Sequence, residues 1–273
     1  MHDQGGRIGV FDSGYGGLSV FKGLLEQFPQ YSYIYVGDNA RAPYGARSKE
    51  IIVSYTREAI EWMFKQNVSI VILACNTASG EAYEELKTEI EKKHKDRVVL
   101  SVIEPVADFV KEKVKQNERI AVIGTHSTIR SGKFGFALSA RGFRGVIERA
   151  TPLLAPLVET GEVRGPMAEH IIANALSPLT REGVGTVILG CTHYYFLRET
   201  IQKLYPHLRL IDASGAFPMY FGMFLKKYVE MEKSLQKGQS PVFYTTDSPD
   251  SFSRFVEKTL DLEIEAQKIK LAV

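Results

Sequence analysis

The stretches VSIVILACNT (68–77) and VGTVILGCTH (184–193) decide the fold of this chain. Each is a run of β-branched and aliphatic residues that leads into a cysteine and then polar residues, which is typical of a buried strand ending in a loop. The stretches align without gaps, and Cys75 and Cys191, the only cysteines among 273 residues, fall on equivalent positions. The repeat therefore indicates two related α/β units, each with a thiol at the end of a strand.

A second repeat has nearly the same spacing. RIGVFDSG (7–14) resembles RIAVIGTH (119–126) at an offset of 112 residues, against 116 residues between the two cysteines. Further β-branched runs alternate with amphipathic helical stretches, as in a mainly parallel sheet flanked by helices. The candidate strands span 7–12, 31–38, 68–75, 97–103, 119–125, 186–191 and 240–247. We therefore predict an α/β protein of two pseudo-symmetric domains, with the active site in the cleft between them.

Two segments have a helical pattern. In residues 48–67 the apolar side chains recur at helical spacing, and Ser48 is a candidate N-cap. The predicted apolar face consists of Ile51, Ile52, Tyr55, Ala59, Trp62 and Met63. We interpret this face, including its tryptophan, as core and not as a binding site. Residues 217–229 predict another helix.

Composition narrows the class of protein. The chain is 44% hydrophobic and 24% charged with a net charge of +2, and its basic residues are interleaved with acidic ones, so no basic patch indicates a nucleic-acid partner. The apolar run at 68–74 is too short to cross a bilayer, and the N-terminus has no apolar signal segment. We expect a cytoplasmic protein, and that reducing compartment argues against a structural disulfide.

The cysteines need a role, and several are open from the residues alone. Ligands bind beyond the carboxyl ends of parallel strands, where both thiols are expected, and the helix starts there favour anions. A buried cysteine is also a common core residue. Cys191 and His193 are candidate zinc ligands, although their spacing matches no standard zinc motif, and the CxxC spacing of a redox dithiol is absent.

Inversion at one carbon is the chemistry that best suits two thiols in similar half-sites. One base removes a proton from one face of the carbon, and a conjugate acid returns a proton to the other face. The two groups exchange roles when the reaction runs backwards, so each must be able to form a thiolate. Loop amides and hydroxyl groups can stabilise the carboxylate beside the developing carbanion.

The loops resemble those of the bacterial glutamate racemases in the aspartate/glutamate racemase superfamily. The motifs that carry the resemblance are FDSGYGGLSV (11–20), GDNARAPYG (37–45), ACNTAS (74–79), GTHSTIRSGKF (124–134), PLLAPLVETGEV (152–163), LGCTHYYFL (189–197) and FYTTDSPDSF (243–252). They run in order over most of the chain. The paired ACNTA and GCTH motifs are specific to the superfamily, and the DSGxGG and PYG motifs point to its glutamate branch.

The resemblance implies a set of site residues. The catalytic set is Cys75, Cys191, Asp12, His193 and Glu159, and the substrate-binding set is Asp12, Ser13, Tyr44, Gly45, Asn76, Thr77, Thr192 and His193. Asp38 is another acidic residue near the expected site. The family assigns the N-terminal cysteine to D-glutamate and the C-terminal cysteine to L-glutamate.

From the residues alone, simpler roles stay open for several of these positions. Asp12 can cap the following helix, and Tyr44 after a proline can shape a turn. The threonines and the asparagine can be helix caps, which does not conflict with ligand binding. Two positions depart from the family pattern: Tyr195 stands where proline is usual, and Thr151 stands where many members have cysteine.

The resemblance implies an isomerase that interconverts L- and D-glutamate without pyridoxal phosphate, any other cofactor or a metal. Its expected role is to supply D-glutamate for peptidoglycan synthesis, and hence for cell-wall biogenesis and cell shape. It further implies a homodimer, with residues 1–98 and 214–273 forming one domain and residues 99–213 the other. The alternatives are an aspartate racemase or a maleate isomerase-like enzyme, a non-catalytic binding protein for acidic metabolites, and a thiol redox sensor.

Overall fold

The computed structural model describes residues 5–271. The strands are β1 (Arg7–Asp12), β2 (Tyr33–Gly37), β3 (Val68–Leu73), β4 (Val98–Ser101), β5 (Ile120–Gly124), β6 (Ile147–Ala150), β7 (Thr186–Gly190), β8 (Arg209–Ile211), β9 (Val242–Thr245) and β10 (Gln267–Lys268). The helices are α1 (Leu18–Gln27), α2 (Lys49–Lys65), α3 (Asn76–Glu81), α4 (Tyr83–Lys93), α5 (Ile103–Lys113), α6 (His126–Arg130), α7 (Lys133–Ala140), α8 (Leu154–Glu159), α9 (Pro166–Arg181), α10 (Arg198–Leu204), α11 (Ala213–Lys227), α12 (Val229–Lys233) and α13 (Pro249–Leu260). Short 3-10 turns occur at Asn39–Arg41, Tyr44–Ala46 and Thr192–Leu197.

The strands form two sheets, which confirms the predicted α/β class. One sheet has the order β10-β9-β2-β1-β3-β4 and the other β6-β5-β7-β8, and the strand pairs are parallel. The order β2-β1-β3-β4 in the first sheet therefore repeats as β6-β5-β7-β8 in the second.

The sequence repeat is also a repeat of strand register. Gly9 pairs with Val71 in the first sheet, and Ala121 pairs with Val187 in the second. These pairs differ by the same offsets, 112 and 116 residues, that the sequence alignment gives. Because the register is the same, the residues that follow β3 and β7 emerge at equivalent points of the two sheets.

One apolar cluster joins the two sheets. Ile72 of β3 and Ile188 of β7 are fully buried in it, together with side chains of α5, α7 and α11. The opposite faces of the two sheets have separate clusters, and Val71 and Val187 again occupy equivalent places in them. The shared cluster therefore fixes the position of one sheet against the other.

The C-terminal part of the chain returns to the first sheet. β9 pairs with β2, and β10 pairs with β9. Helix α11 packs along α1, and its Phe221 meets Phe28 at a ring-centroid distance of 5.5 Å. None of the helices within residues 5–271 has both the length and the apolar character needed to span a membrane.

Helix α2 begins as predicted, with the Ser48 hydroxyl accepting from the amide of Ile51 at 3.5 Å. The predicted apolar face is wrong at Ile51, whose side chain is 39% exposed. Trp62 packs against the first sheet, at 4.8 Å from the ring of Tyr244. The helix predicted at 217–229 is α11, which begins four residues earlier and ends at Lys227.

Three strands lay outside the sequence predictions. β6 carries Glu148 and Arg149 and is only half-buried, so it has no apolar run to mark it. β8 has three residues and β10 has two, which is too short for a periodic pattern. These strands form by pairing with longer neighbours.

The shared cluster predicts equal sensitivity at equivalent positions. Ile72→Ala and Ile188→Ala each remove a fully buried side chain, so each should lower the free energy of unfolding by about 2–5 kcal/mol. The matched control Ile51→Ala, at an exposed position of α2, should cost less than about 1 kcal/mol. Urea unfolding followed by circular dichroism measures all three. A cost at the exposed isoleucine equal to that at the buried ones would contradict this account of the core.

Candidate active site

Cys75 lies where β3 ends and α3 begins. Its Sγ is 3.5 Å from Oγ of Ser13, which follows the neighbouring strand β1. The amides of Ser13 and Ala78 also point to the sulfur and lower the pKa of the thiol. The first predicted thiol therefore lies at a helix start with three donors that can stabilise its anion.

Cys191 has the equivalent place after β7, where a 3-10 turn begins. Its Sγ is 3.8 Å from Nδ1 of His193, and the amides of His193 and Tyr194 lower the pKa of the thiol. Tyr195, which stands where family members usually have proline, lies in the same turn. The turn has 3-10 helical geometry without that proline. Thr151 lies beneath the turn, where its hydroxyl donates to the hydroxyl of Tyr194 at 3.0 Å.

Asp12 connects the loop after β1 to the turn after β7. Its carboxylate accepts from the amide of Gly14 at 2.9 Å and from the hydroxyl of Thr192 at 3.1 Å. The side chain is fully buried, and this burial raises its pKa, while the positive charge of His193 and the hydrogen bonds act in the opposite direction. A carboxylate of the first sheet thus holds the turn that carries the second thiol.

His193 and Glu159 face each other at one side of the site. Nε2 of the histidine is 3.5 Å from Oε1 of the glutamate, without the alignment of a hydrogen bond. The histidine is buried and the glutamate is one-third exposed. These two side chains form a titratable pair beside Cys191.

The opposite wall is the turn that carries Pro43, Tyr44 and Gly45. The Tyr44 hydroxyl donates to Oδ2 of Asp38 at 2.5 Å, and Arg41 binds the same oxygen at 2.7 Å. A Cβ on Gly45 would lie 2.4 Å from Cβ of Thr125, so only glycine allows this approach of the two halves. Asp38 therefore binds the hydroxyl of Tyr44 from behind the wall. It is not among the residues that line the cavity.

A set of hydroxyl groups joins α3 to the start of α6. Thr77 lies 3.0 Å from Thr125 and 3.1 Å from Thr128, measured between the Oγ1 atoms. Thr125 lines the site although it was not among the predicted residues. The repeat contained the signal, because an offset of 112 residues aligns Thr125 with Ser13.

These elements line a cavity whose empty space, counting the part open to solvent, is about 350 Å³. Its lining consists of Ser13, Pro43, Tyr44, Gly45, Cys75, Asn76, Thr77, Thr125, Ala155, Glu159, Cys191, Thr192 and His193. The structure thus brings together all the predicted site residues except Asp12, which lies behind the wall. No lysine or arginine is among the described residues that line the cavity, so its hydrogen-bond donors are mainly hydroxyl and amide groups.

Two buried polar atoms at the cavity have no hydrogen-bond partner among residues 5–271: Oδ1 of Asn76 and Nε2 of His193. Buried polar atoms are normally paired, and unpaired ones in a cavity indicate contacts with a ligand. Residues 5–271 contain no cluster of three or more histidine, cysteine, aspartate or glutamate side chains suited to a metal ion.

Burial dominates the titration of both thiols. Burial first, and then the negative charge of Asp12, raise the pKa of Cys75 to about 11 against the hydrogen bonds that lower it. Burial raises the pKa of Cys191 more strongly, and the negative charges of Cys75 and Asp12 act in the same direction. The negative charge of a Cys75 thiolate opposes ionisation of Cys191, so both thiols hold their protons at neutral pH unless a positive charge is brought close to them.

The sequence profile of the Asp/Glu/hydantoin racemase family matches residues 8–216. A glutamate racemase from Persephonella marina is 37% identical over 265 residues, which cover 97% of each chain. The chain therefore belongs to the Asp/Glu/hydantoin racemase family and is an isomerase.

Solved structures place the chain within that family. The glutamate racemase from Bacillus anthracis superposes with a TM-score of 0.87 at 33% identity, covering 97% of this chain and 98% of the other. The glutamate racemase from Francisella tularensis, solved in complex with D-glutamate, superposes with a TM-score of 0.86 at 30% identity, covering 98% of each. The chain is similar to glutamate racemases in both sequence and fold.

The close contact at Gly16 predicts that substitution of this glycine impairs the enzyme. A Cβ at this position would lie 2.3 Å from Oγ1 of Thr192 and 2.8 Å from the amide nitrogen of His193. Gly16→Ala should therefore displace the turn beside Cys191 and lower kcat/KM by about tenfold or more. At the matched control Gly215→Ala, no atom of the described residues outside its own stretch of helix lies within 4 Å of the added carbon, so this variant should keep the wild-type value. Equal kinetics in the two variants would show that the approach at Gly16 does not matter.

The raised thiol pKa predicts a loss of stability in alkali. The pKa of Cys75 is about 11 in the folded protein, against an ordinary value of 9.0. The contribution of this thiol to the free energy of unfolding is therefore complete below about pH 9 and is lost as the pH rises through 11. Over this interval the wild type should lose about 2 kcal/mol more than Cys75→Ser. Denaturant unfolding at pH 8 to 11 measures the difference. Parallel pH curves for the two proteins would refute the raised pKa.

Proposed function

We propose that this enzyme interconverts L- and D-glutamate by proton transfer at Cα, with Cys75 and Cys191 as the two bases and with no cofactor. The observation that carries the proposal is the presence of both thiols in the lining of one cavity, at equivalent ends of two related sheets. A pseudo-symmetric cavity can present one thiol to each face of a bound carbon. The glutamate racemases among its relatives support glutamate as the substrate.

The hydroxyl and amide groups of the lining suit a dicarboxylate amino acid held by many weak donors. The hydroxyls of Ser13, Thr77, Thr125 and Thr192 and the amides at the start of α3 can bind the carboxylates. The unpaired oxygen of Asn76 is an acceptor for the ammonium group. Donors at the α-carboxylate stabilise the negative charge that spreads onto it when the proton leaves.

The proton transfers balance across the two faces. With D-glutamate bound, the Cys75 thiolate takes the Cα proton, and the electron pair of the C–H bond spreads onto the α-carboxylate. The Cys191 thiol then gives its proton to the opposite face, which forms L-glutamate and leaves Cys191 as thiolate. The reverse reaction starts from that state, so a complete cycle in either direction needs one thiol and one thiolate.

Titratable side chains beside each sulfur assist the proton transfers. The charge of Asp12 raises the pKa of Cys75, which makes its thiolate a stronger base toward the weakly acidic Cα proton. His193, 3.8 Å from Cys191, can exchange a proton with that sulfur, and Glu159 stabilises the protonated imidazole. The substrate ammonium brings a further positive charge close to the sulfurs, and so favours formation of a thiolate on binding.

The cellular assignment is part of the same proposal. The enzyme would supply D-glutamate for peptidoglycan synthesis in the cytoplasm and would act as a homodimer. We also propose domain boundaries at residues 1–98 with 214–273 and at 99–213, of which residues 1–4 and 272–273 lie outside the described structure. The return of β9 to the first sheet supports this division, whereas β4 pairs with β3 and extends the first sheet to Ser101, three residues past the first boundary.

Single replacement of either thiol tests the proposal. Cys75→Ala and Cys191→Ala should each lower kcat for racemisation at least about 10³-fold in both directions, because a cycle needs both groups. The rate is measured by circular dichroism from either enantiomer. Ser139→Ala, on α7 away from the cavity, is a control for the substitution itself.

Thermal unfolding separates lost chemistry from lost structure. Both cysteine variants should unfold cooperatively near the wild-type temperature, since alanine removes only one atom from each buried site. Turnover near the wild-type rate in either folded variant would exclude the two-thiol mechanism. Wild-type protein that does not racemise glutamate would exclude the substrate.

A further inference from the structure

Thr246 is not among the residues that line the cavity, and it is more than 50 positions along the chain from the last of them, His193. It follows β9, the strand that returns to the first sheet beside β2. Its backbone amide donates to the carbonyl of Gly37 at 3.1 Å, just where β2 ends. The residue is therefore fixed beside the segment that leads from β2 to the cavity wall.

The hydroxyl of Thr246 makes two hydrogen bonds to that segment. It donates to Oδ1 of Asp38 at 2.8 Å and accepts from the amide of Ala40 at 3.0 Å. The neighbouring Thr245 donates to the side-chain oxygen of Asn39 at 3.0 Å. Two adjacent threonines thus bind three consecutive residues at the start of the turn.

Asp38 passes this restraint on to the cavity wall. Its second oxygen, Oδ2, accepts from the Tyr44 hydroxyl at 2.5 Å and from Arg41 at 2.7 Å. Arg41 in turn binds Glu58 and lies 3.9 Å above the ring of Tyr55. With one oxygen held by Thr246, the carboxylate has a fixed orientation, and so does the hydroxyl of Tyr44.

Fixing Tyr44 matters because its turn must stay close to the other half of the site. Tyr44 is 1% exposed and lines the cavity with Pro43 and Gly45. Gly45 lies against Thr125, so a small shift of the turn changes both the width of the cavity and the positions of its donor amides.

We propose that Thr246 is a positioning residue for the reaction, which holds the 38–46 segment in its substrate-binding form through the carboxylate of Asp38. This inference rests on the proposed racemisation of glutamate. Thr246 contacts neither thiol in the structure, so it acts on binding and not on proton transfer. Loss of its hydroxyl lowers the fraction of molecules with a competent wall, and apparent affinity falls by the same factor.

The test compares Thr246→Val, which keeps the shape, with Thr246→Ser, which keeps the hydroxyl. KM for both enantiomers should rise about tenfold in Thr246→Val, as for the loss of one hydrogen bond to a charged group, while kcat stays within about threefold. Thr246→Ser should remain within about threefold of wild type in both. Thr88→Val, which removes an exposed hydroxyl on α4, should change neither constant.

Hydrogen exchange supplies a readout that does not depend on turnover. The amide of Ala40 should exchange faster in Thr246→Val than in wild type, while amides of the second sheet keep their rates. If the valine variant does not fold, Thr246→Ala and Thr246→Ser, which differ only in the hydroxyl, give the same comparison.

The outcomes are distinct. Unchanged KM in a folded Thr246→Val, or a Thr246→Ser as impaired as the valine variant, overturns the inference. A drop in kcat with KM unchanged also overturns it, because the residue would then act on the chemistry. Wild-type protein that is inactive on glutamate overturns the proposed function instead, and faster exchange at Ala40 in the variant would then still support the anchoring of the turn.

Discussion

The site depends on one buried contact between its halves, the hydrogen bond from the Thr192 hydroxyl to the carboxylate of Asp12. An isolated carboxylate removed from water is costly, and this one is tolerated because backbone and hydroxyl donors surround it. Gly16 leaves room for Thr192 to approach, since any side chain there would collide with it. The contact ties the turn after β7 to the end of β1, and so sets the place of Cys191 relative to Cys75.

Burial has two opposite effects on the chemistry. It keeps both thiols protonated at neutral pH, because a thiolate is poorly stabilised away from water. It also makes each thiolate a strong base once it forms, which suits a substrate whose Cα proton is only weakly acidic. The amides and hydroxyls around each sulfur limit the cost of forming the anion. The substrate itself, through its ammonium group, completes the electrostatics of the site.

The sequence predicted most of this arrangement because the repeat encodes it. The similar offsets of 112 and 116 residues placed Cys75 and Cys191 at equivalent strand ends, and the observed register of β1 with β3 and of β5 with β7 follows the same two offsets. Thr125 could have been found in this way from its alignment with Ser13. The start of the helix capped by Ser48 could also be predicted from the sequence, since capping depends on neighbouring residues.

Other features depend on contacts that no local pattern records. Ile51 was predicted as a core residue yet is 39% exposed, because it lies about 100° around the helix from Ile52, on the side away from the buried face. Asp12 lies behind the cavity, which depends on the approach of the second sheet. The bond between Asp38 and Thr246 joins residues 208 positions apart and needs the return of β9, which only the assembled sheet provides.

The most direct test of the central claim is the position of deuterium at early times in D2O. With L-glutamate as substrate and only a few per cent conversion, two opposed thiols predict deuterium at Cα of the D-glutamate formed. The L-glutamate that remains should keep its original proton, because Cys191 returns the proton it removed, and separation of the enantiomers followed by mass spectrometry measures both. Equal deuterium in the two enantiomers, or product that retains the substrate's proton, would contradict proton transfer by two bases on opposite faces.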